Sequence, residues 1–223
     1  MAVLETIESE TGPNPVATII VLHGLGADGN DFVPIAQELD LSAVGNVRFV
    51  FPHAPVIPVT INNGMRMRAW YDILGMDLVK REDEQGLRRS LREIEELLER
   101  EEQRGMPAHR IVLAGFSQGS AMALMTGLRH KQRLAGIVGM SGYLPLAQST
   151  AGERSDANTL TPIFMAHGQH DNVVVAQRGQ ASRDALQALG YQVEWHEYPM
   201  AHSVCMEEIA DLNAWLVKVL AHP

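Results

Sequence analysis

The stretch RIVLAGFSQGSAMALMTGLR, residues 110–129, decides the fold. Its first part, Arg110 to Ala114, is a short run of apolar residues with the look of a buried strand. Its last part, Ser117 to Arg129, has helical length and is apolar nearly all round, as a helix buried on every side must be. Between them Gly115-Phe116-Ser117-Gln118-Gly119 makes a turn with a glycine two residues either side of a serine. A strand and a helix that are both buried this completely belong at the centre of a parallel sheet with helices on both faces.

Reading outward extends the alternation. Upstream, Val16 to Leu22 (VATIIVL) is a β-branched run that stops at a Gly-rich loop, and Asp31 to Leu39 then has helical spacing. Val47 to Phe51 is a further strand. Val59 to Tyr71 places Asn62-Asn63-Gly64 between alternating residues, which predicts a hairpin. Glu84 to Arg104 carries Leu87, Leu91, Ile94 and Leu98 as an apolar stripe on a charged helix, ended by Gly105 and Pro107. Downstream, Leu134 to Met140, Pro162 to Ala166 and Tyr191 to Tyr198 read as strands. Asn172 to Leu189 and Glu207 to Ala221 read as helices, and Ala147 to Thr161 as a polar loop too short for a domain linker. The expectation is one α/β domain over residues 1–223 with a mainly parallel sheet.

Composition narrows the function. The 223 residues carry 18 Lys and Arg against 27 Asp and Glu, a formal charge of −9. That balance repels phosphate backbones and anionic lipid surfaces, so nucleic-acid binding and stable membrane anchoring are not expected. The single cysteine, Cys205, excludes an intrachain disulfide and a cysteine-based zinc site. The amino terminus lacks the basic start and apolar run of a secretory signal. No stretch approaches the ~20 apolar residues of a membrane helix. A soluble, cytoplasmic protein is the expectation.

Chemistry in an open parallel sheet gathers at the carboxyl ends of the strands, where Ser117 sits. The G-x-S-x-G pattern, with a strand before and a helix after, is that of a nucleophile elbow. The alternative is a Ser N-cap on a buried helix, with the glycines serving close packing. A serine hydroxyl needs a base, and the base an orienting acid, expected on later loops in the order Ser, Asp, His. Asp171 follows the Pro162 strand in HGQHD, and His202 follows the Tyr191 strand in PMAHS. His53, His109, His130 and His222 have no acid evidently placed to orient them, and His196 lies within a strand pattern. His167 and His170 have H-x-x-H spacing, but no third or fourth ligand clusters with them, so no metal is expected. Oxyanion donors are expected at the backbone N–H of Gln118 and of Leu25, the latter in His23-Gly24-Leu25-Gly26. Gly24, Gly26 and Gly29 also satisfy G-x-G-x-x-G, but the acid expected about 20 residues later in a dinucleotide site is missing.

These residues together resemble a known family, the small carboxylesterases and lysophospholipases related to acyl-protein thioesterases. The resemblance rests on HGLGADGNDF (His23 to Phe32), FPHAP (Phe51 to Pro55), RAWYDI (Arg68 to Ile73), GFSQG, HGQHD and YPMAHS (Tyr198 to Ser203), in that order. It implies an α/β-hydrolase fold without a large cap domain, no cofactor, and hydrolysis of a small-molecule ester or thioester. The family's Ser, Asp and His fall on Ser117, Asp171 and His202, and its oxyanion donors on Leu25 and Gln118. Its acyl-pocket loop falls on the segment from Trp70, with Ile73, Leu74 and Met76 as substrate-binding residues. Ser120 and Ala201 depart from the pattern, each standing where glycine is common. The lack of a cap favours a carboxylesterase of short to medium acyl chains. A lysophospholipase or acyl-protein thioesterase is the alternative, and a non-catalytic binding module, which usually lacks a triad member, the third reading. A homodimer is expected from the resemblance alone.

Overall fold

The computed structural model describes residues 4–75 and 81–221. Its centre is a seven-stranded sheet: β1 (Thr6–Glu10), β2 (Ala17–Leu22), β3 (Val47–Pro52), β6 (Ile111–Phe116), β7 (Gly136–Met140), β8 (Ile163–Gly168) and β9 (Val193–Tyr198). The spatial order is β1-β3-β2-β6-β7-β8-β9, and every pairing is parallel except that of β1 with β3. The small hairpin of β4 (Val56–Val59) and β5 (Met65–Arg68) stands apart from it. This is the α/β-hydrolase architecture, a mainly parallel sheet with helices on both faces.

Alternation along β2 shows how the strands serve two cores. Ile20 and Leu22 point into one core with Ile111, Leu113 and the helices α2 (Glu84–Gln103), α3 (Gln118–Arg129) and α5 (Ala176–Ala188). Ile19 and Val21 point into the other with Phe49, Phe164 and Trp215, under α1 (Val33–Glu38) and α6 (Met206–Leu220). β2, β6 and β8 are nearly continuous apolar runs because both faces are covered, Thr18 and His167 being the buried polar exceptions.

Several elements differ from the sequence expectation. β1, TIESE, is an edge strand that pairs Thr6 to Glu10 with Pro52 to Arg48, and its half-exposed side chains carry no apolar signal. The hairpin is wider than expected, β4 beginning at Val56, with a 3₁₀ turn over Thr60–Asn62 and Asn63 left-handed at φ 54°. The polar stretch after Leu146 holds a further helix, α4 (Ala147–Glu153). α5 starts four residues later than its periodicity suggested, because Asp171 spends its carboxylate on the backbone N–H groups of Val173 and Val174, which orders that segment as a loop.

The topology fixes where loops can meet. From β2 the chain moves outward to β3 and later returns to β6 on the other side, so the carboxyl ends of β2 and β6 flank the reversal of strand order. Crevices in open sheets form at such points. The loops after β2, β6, β8 and β9 all leave from this end.

Candidate active site

Ser117 joins β6 directly to α3 with φ 56° and ψ −117°, a conformation that a non-glycine residue adopts only under constraint. Three neighbours impose it. The Ser117 N–H donates to Met140 O on β7 at 2.9 Å. A Cβ on Gly115 would lie 2.2 Å from Gly119 O, and one on Gly119 would lie 2.1 Å from Leu22 O. Both glycines of the motif are therefore required by close backbone approach, the first within the turn and the second between α3 and the end of β2.

The structure brings the three candidate catalytic side chains into one hydrogen-bonded chain. His202 Nε2 lies 2.9 Å from Ser117 Oγ and His202 Nδ1 lies 2.6 Å from Asp171 Oδ2. A carboxylate can only accept, so Nδ1 carries the proton, leaving Nε2 to accept from the serine hydroxyl. The other oxygen, Asp171 Oδ1, takes the N–H of Val173 at 2.8 Å and of Val174 at 2.9 Å. His167 adds a brace that sequence reasoning left unassigned: its Nε2 donates to Val174 O at 2.7 Å and stands 3.5 Å from Asp171 Oδ2. The loops bearing Asp171 and His202 are docked on each other, with Gln169 N–H on Tyr198 O at 2.8 Å and His170 N–H on Met200 O at 3.0 Å. The Phe116 ring, 4.8 Å from the His202 ring, closes the remaining side.

The proposed oxyanion donors lie on two elements that also touch. A Cβ on Gly24 would come 3.4 Å from Ser117 Cβ, so the turn carrying Leu25 passes at van der Waals distance from the nucleophile candidate. Gln118 is the first residue of α3, where a helical N–H has no intrahelical acceptor. Its side chain is clasped: Oε1 accepts from Trp70 N–H at 2.8 Å and Nε2 donates to Tyr71 O at 2.7 Å. Trp70 Nε1 in turn donates to His23 O at 2.9 Å, and His23 Nε2 accepts the Ala54 N–H at 3.0 Å. That leaves the proton on His23 Nδ1, which donates to Gly24 O at 2.7 Å. Burial holds His23 below the usual histidine range, so it serves as a neutral strut. The His23 and Trp70 side chains were not singled out from the sequence. Only their place in quoted motifs hinted at a role.

Of the expected acyl-pocket residues, Ile73 and Leu74 are half-buried on the segment that runs on from the Gln118 clasp, and Met76 lies outside the described residues. Ile73 O accepts the Ile61 N–H, and Asp72 caps Thr60, so this segment is tied to the hairpin. Val173, 64% exposed beside the acid, is an apolar candidate missed by the sequence reading. His130 corrects that reading: Glu95 lies 2.8 Å from its Nδ1 and Glu102 3.4 Å from its Nε2, so acids do orient it, at the opposite end of α3 from Ser117. A groove of about 970 Å³ lined by Arg133, Pro162, Val193 and Trp215 opens at the amino ends of the strands and contains none of the candidate catalytic residues.

Residues 4–220 match the model of the phospholipase/carboxylesterase family. The chain belongs to that family. This phospholipase/carboxylesterase-family protein is 42% identical to acyl-protein thioesterase 1 of Mycosarcoma maydis, across 99% of both chains. It is 40% identical to acyl-protein thioesterase 1 of Cryptococcus neoformans, across 92% of both. The crystal structure of Zea mays acyl-protein thioesterase 2 superposes with a TM-score of 0.82 at 29% identity, covering 96% of this chain and 99% of that one. Family and relatives together make this chain a serine hydrolase. Among the described residues no helix is long and apolar enough to cross a membrane.

Proposed function

We propose that the chain is an acyl-protein thioesterase, with Ser117 as nucleophile, His202 as general base and acid, and Asp171 as the orienting carboxylate. The unbroken hydrogen-bonded chain from Ser117 to Asp171 carries this reading. The expectation of a carboxylesterase for short to medium acyl chains is less well supported than its alternative, because the relatives that match along nearly the whole chain bear the thioesterase name.

As Ser117 Oγ attacks the thioester carbonyl, its proton passes to His202 Nε2, and Asp171 stabilises the imidazolium through Nδ1–H. The negative charge that forms on the carbonyl oxygen is met by the N–H groups of Leu25 and Gln118, each such donor being worth about 2.7–4 kcal/mol of barrier. The C–S bond then breaks, the leaving thiolate takes the proton from His202, and the acyl group stays on Ser117. Water, deprotonated by the same histidine, attacks the acyl-enzyme and releases the carboxylic acid. These steps use side chains, backbone N–H groups and water, with no cofactor. Ile73, Leu74 and Met76, joined by Val173, supply apolar surface for the acyl chain. A cytoplasmic location goes with this substrate class, and a homodimer would give a sedimentation mass of about twice 24.5 kDa.

The test is hydrolysis of an S-palmitoyl peptide beside p-nitrophenyl esters from acetate to palmitate, with Ser117→Ala as control. Thioester cleavage that exceeds short-ester cleavage in kcat/KM and vanishes in the variant is expected. Activity confined to short esters would restore the carboxylesterase reading, and no Ser117-dependent activity on any substrate would overturn the enzyme assignment.

A further inference from the structure

Glu208 is a buried acid that the mechanism above does not use. It is the third residue of α6, is 0% exposed, and neither carboxyl oxygen has a hydrogen-bond partner. An acid so placed is costly to ionise, because a buried charge needs a partner to replace lost water. Its position is informative. The segment that carries His202 leaves β9 at Tyr198 and enters α6 at Cys205, three residues before Glu208. Cys205 is the N-cap of α6, which puts Glu208 at the capping-box position with its carboxyl toward the Cys205 N–H. Tyr198 on β9 is pinned to the same helix by its hydroxyl, which donates to Asp211 Oδ2 at 2.8 Å.

We infer that Glu208 is a positioning residue for the catalytic base: in its neutral form it seats the α6 end of the His202 segment in a dry site, and its ionisation loosens that end and sets the alkaline limit of activity. This rests on the serine-hydrolase roles proposed above. Burial pushes the Glu208 carboxyl up to about 8, with the Cys205 N–H pulling weakly the other way. The titratable groups facing it are the Tyr198 phenol on β9 and the Cys205 thiol at the head of α6. Asp211 on α6 itself faces Tyr198, Glu207 faces Cys205, and no cation among the described residues acts on the carboxyl. Burial raises both the phenol and the thiol above their ordinary values, so Glu208 is the first of the cluster to lose its proton as pH rises. A charged carboxylate at this place must admit water. The segment that leads into α6 at this point carries His202, whose Nε2 lies 2.9 Å from Ser117 Oγ.

The experiment measures the rate of Ser117 labelling by a fluorophosphonate from pH 6 to 10 in the wild type and in Glu208→Gln, which is isosteric and permanently neutral. The wild-type rate is expected to halve near pH 8 and to fall about tenfold by pH 9, as a single ionisation requires, while Glu208→Gln holds its plateau. The infrared carbonyl stretch of a protonated buried carboxyl should be present in the wild type at pH 7 and bleach over the same interval. That measurement needs no variant to fold. Identical alkaline limbs in the two proteins, or no such band at neutral pH, would overturn the role of Glu208. Absence of labelling in the wild type at every pH would instead sink the serine-hydrolase roles, and this inference with them.

Discussion

Gly168→Ala should disable this protein without unfolding it. Gly168 ends β8, and its Cα lies against the loop that carries His202. An added Cβ would stand 2.3 Å from Ala201 O and 2.5 Å from Met200 O. A carbon and a carbonyl oxygen settle at about 3.3 Å or more, so the loop must retreat by about 1 Å. Its φ is not among the positive ones, so alanine meets no backbone strain there and the effect is one of contact alone. Moving His202 by that much would stretch its 2.9 Å approach to Ser117 Oγ beyond hydrogen-bond length. A displacement of about 1 Å in a catalytic group costs on the order of 10²-fold in rate, or about 2.7 kcal/mol of barrier. The assay is kcat and KM for thioester hydrolysis, with thermal unfolding in parallel. The fall is expected in kcat, with KM little changed because the proposed acyl surface does not include the His202 loop. Activity within about threefold of wild type in a normally folded Gly168→Ala protein would refute the claim that the acid and base loops are held in register by this contact.

Other outcomes follow from buried polar contacts. Gln118→Ala removes the clasp on Trp70 N–H and Tyr71 O, leaving two buried backbone groups unpaired at about 1–3 kcal/mol each; a lowered Tm and kcat are expected, and an unchanged Tm would count against the clasp. Glu101→Gln should cost about 3–5 kcal/mol in urea unfolding, because this fully buried carboxylate holds Arg48 at 2.9 Å and Arg104 at 2.8 Å. For His130, burial alone would lower the pKa, but Glu95 and Glu102 outweigh it and raise it. Its stabilisation is thus present below the ordinary histidine value of about 6.5 and fades as pH rises through the higher folded value. His130→Gln should therefore lie below wild type in stability at about pH 5.5 by roughly 1.5–3 kcal/mol and converge with it under alkaline conditions; a gap that does not change with pH would contradict the pairing with Glu95.

The elements that could be read in advance are those whose physics is local. β2, β6 and β8 are buried on both faces, so their sequences are apolar apart from Thr18 and His167, and the elbow needs glycine at Gly115 and Gly119 because backbone passes within contact distance there. Edge strand β1 escaped because an exposed strand needs no apolar signature, and its identity lies in its pairing with β3. α4 was hidden for a similar reason, with only Thr150 fully buried.

Sequence by itself determined the parallel sheet, the helices on both faces and the order in which Ser117, Asp171 and His202 reach the carboxyl ends of successive strands. Such features are written in periodicity and in residue types that tight turns demand. Tertiary structure alone decided which side chains meet: Ser117 with His202 across 85 residues, Gln118 with Trp70 across 48, and His130 with Glu95 across 35. A hydrogen bond depends on tenths of an ångström and on the angle between groups, and no local pattern encodes the distance between two loops that only the completed sheet brings together.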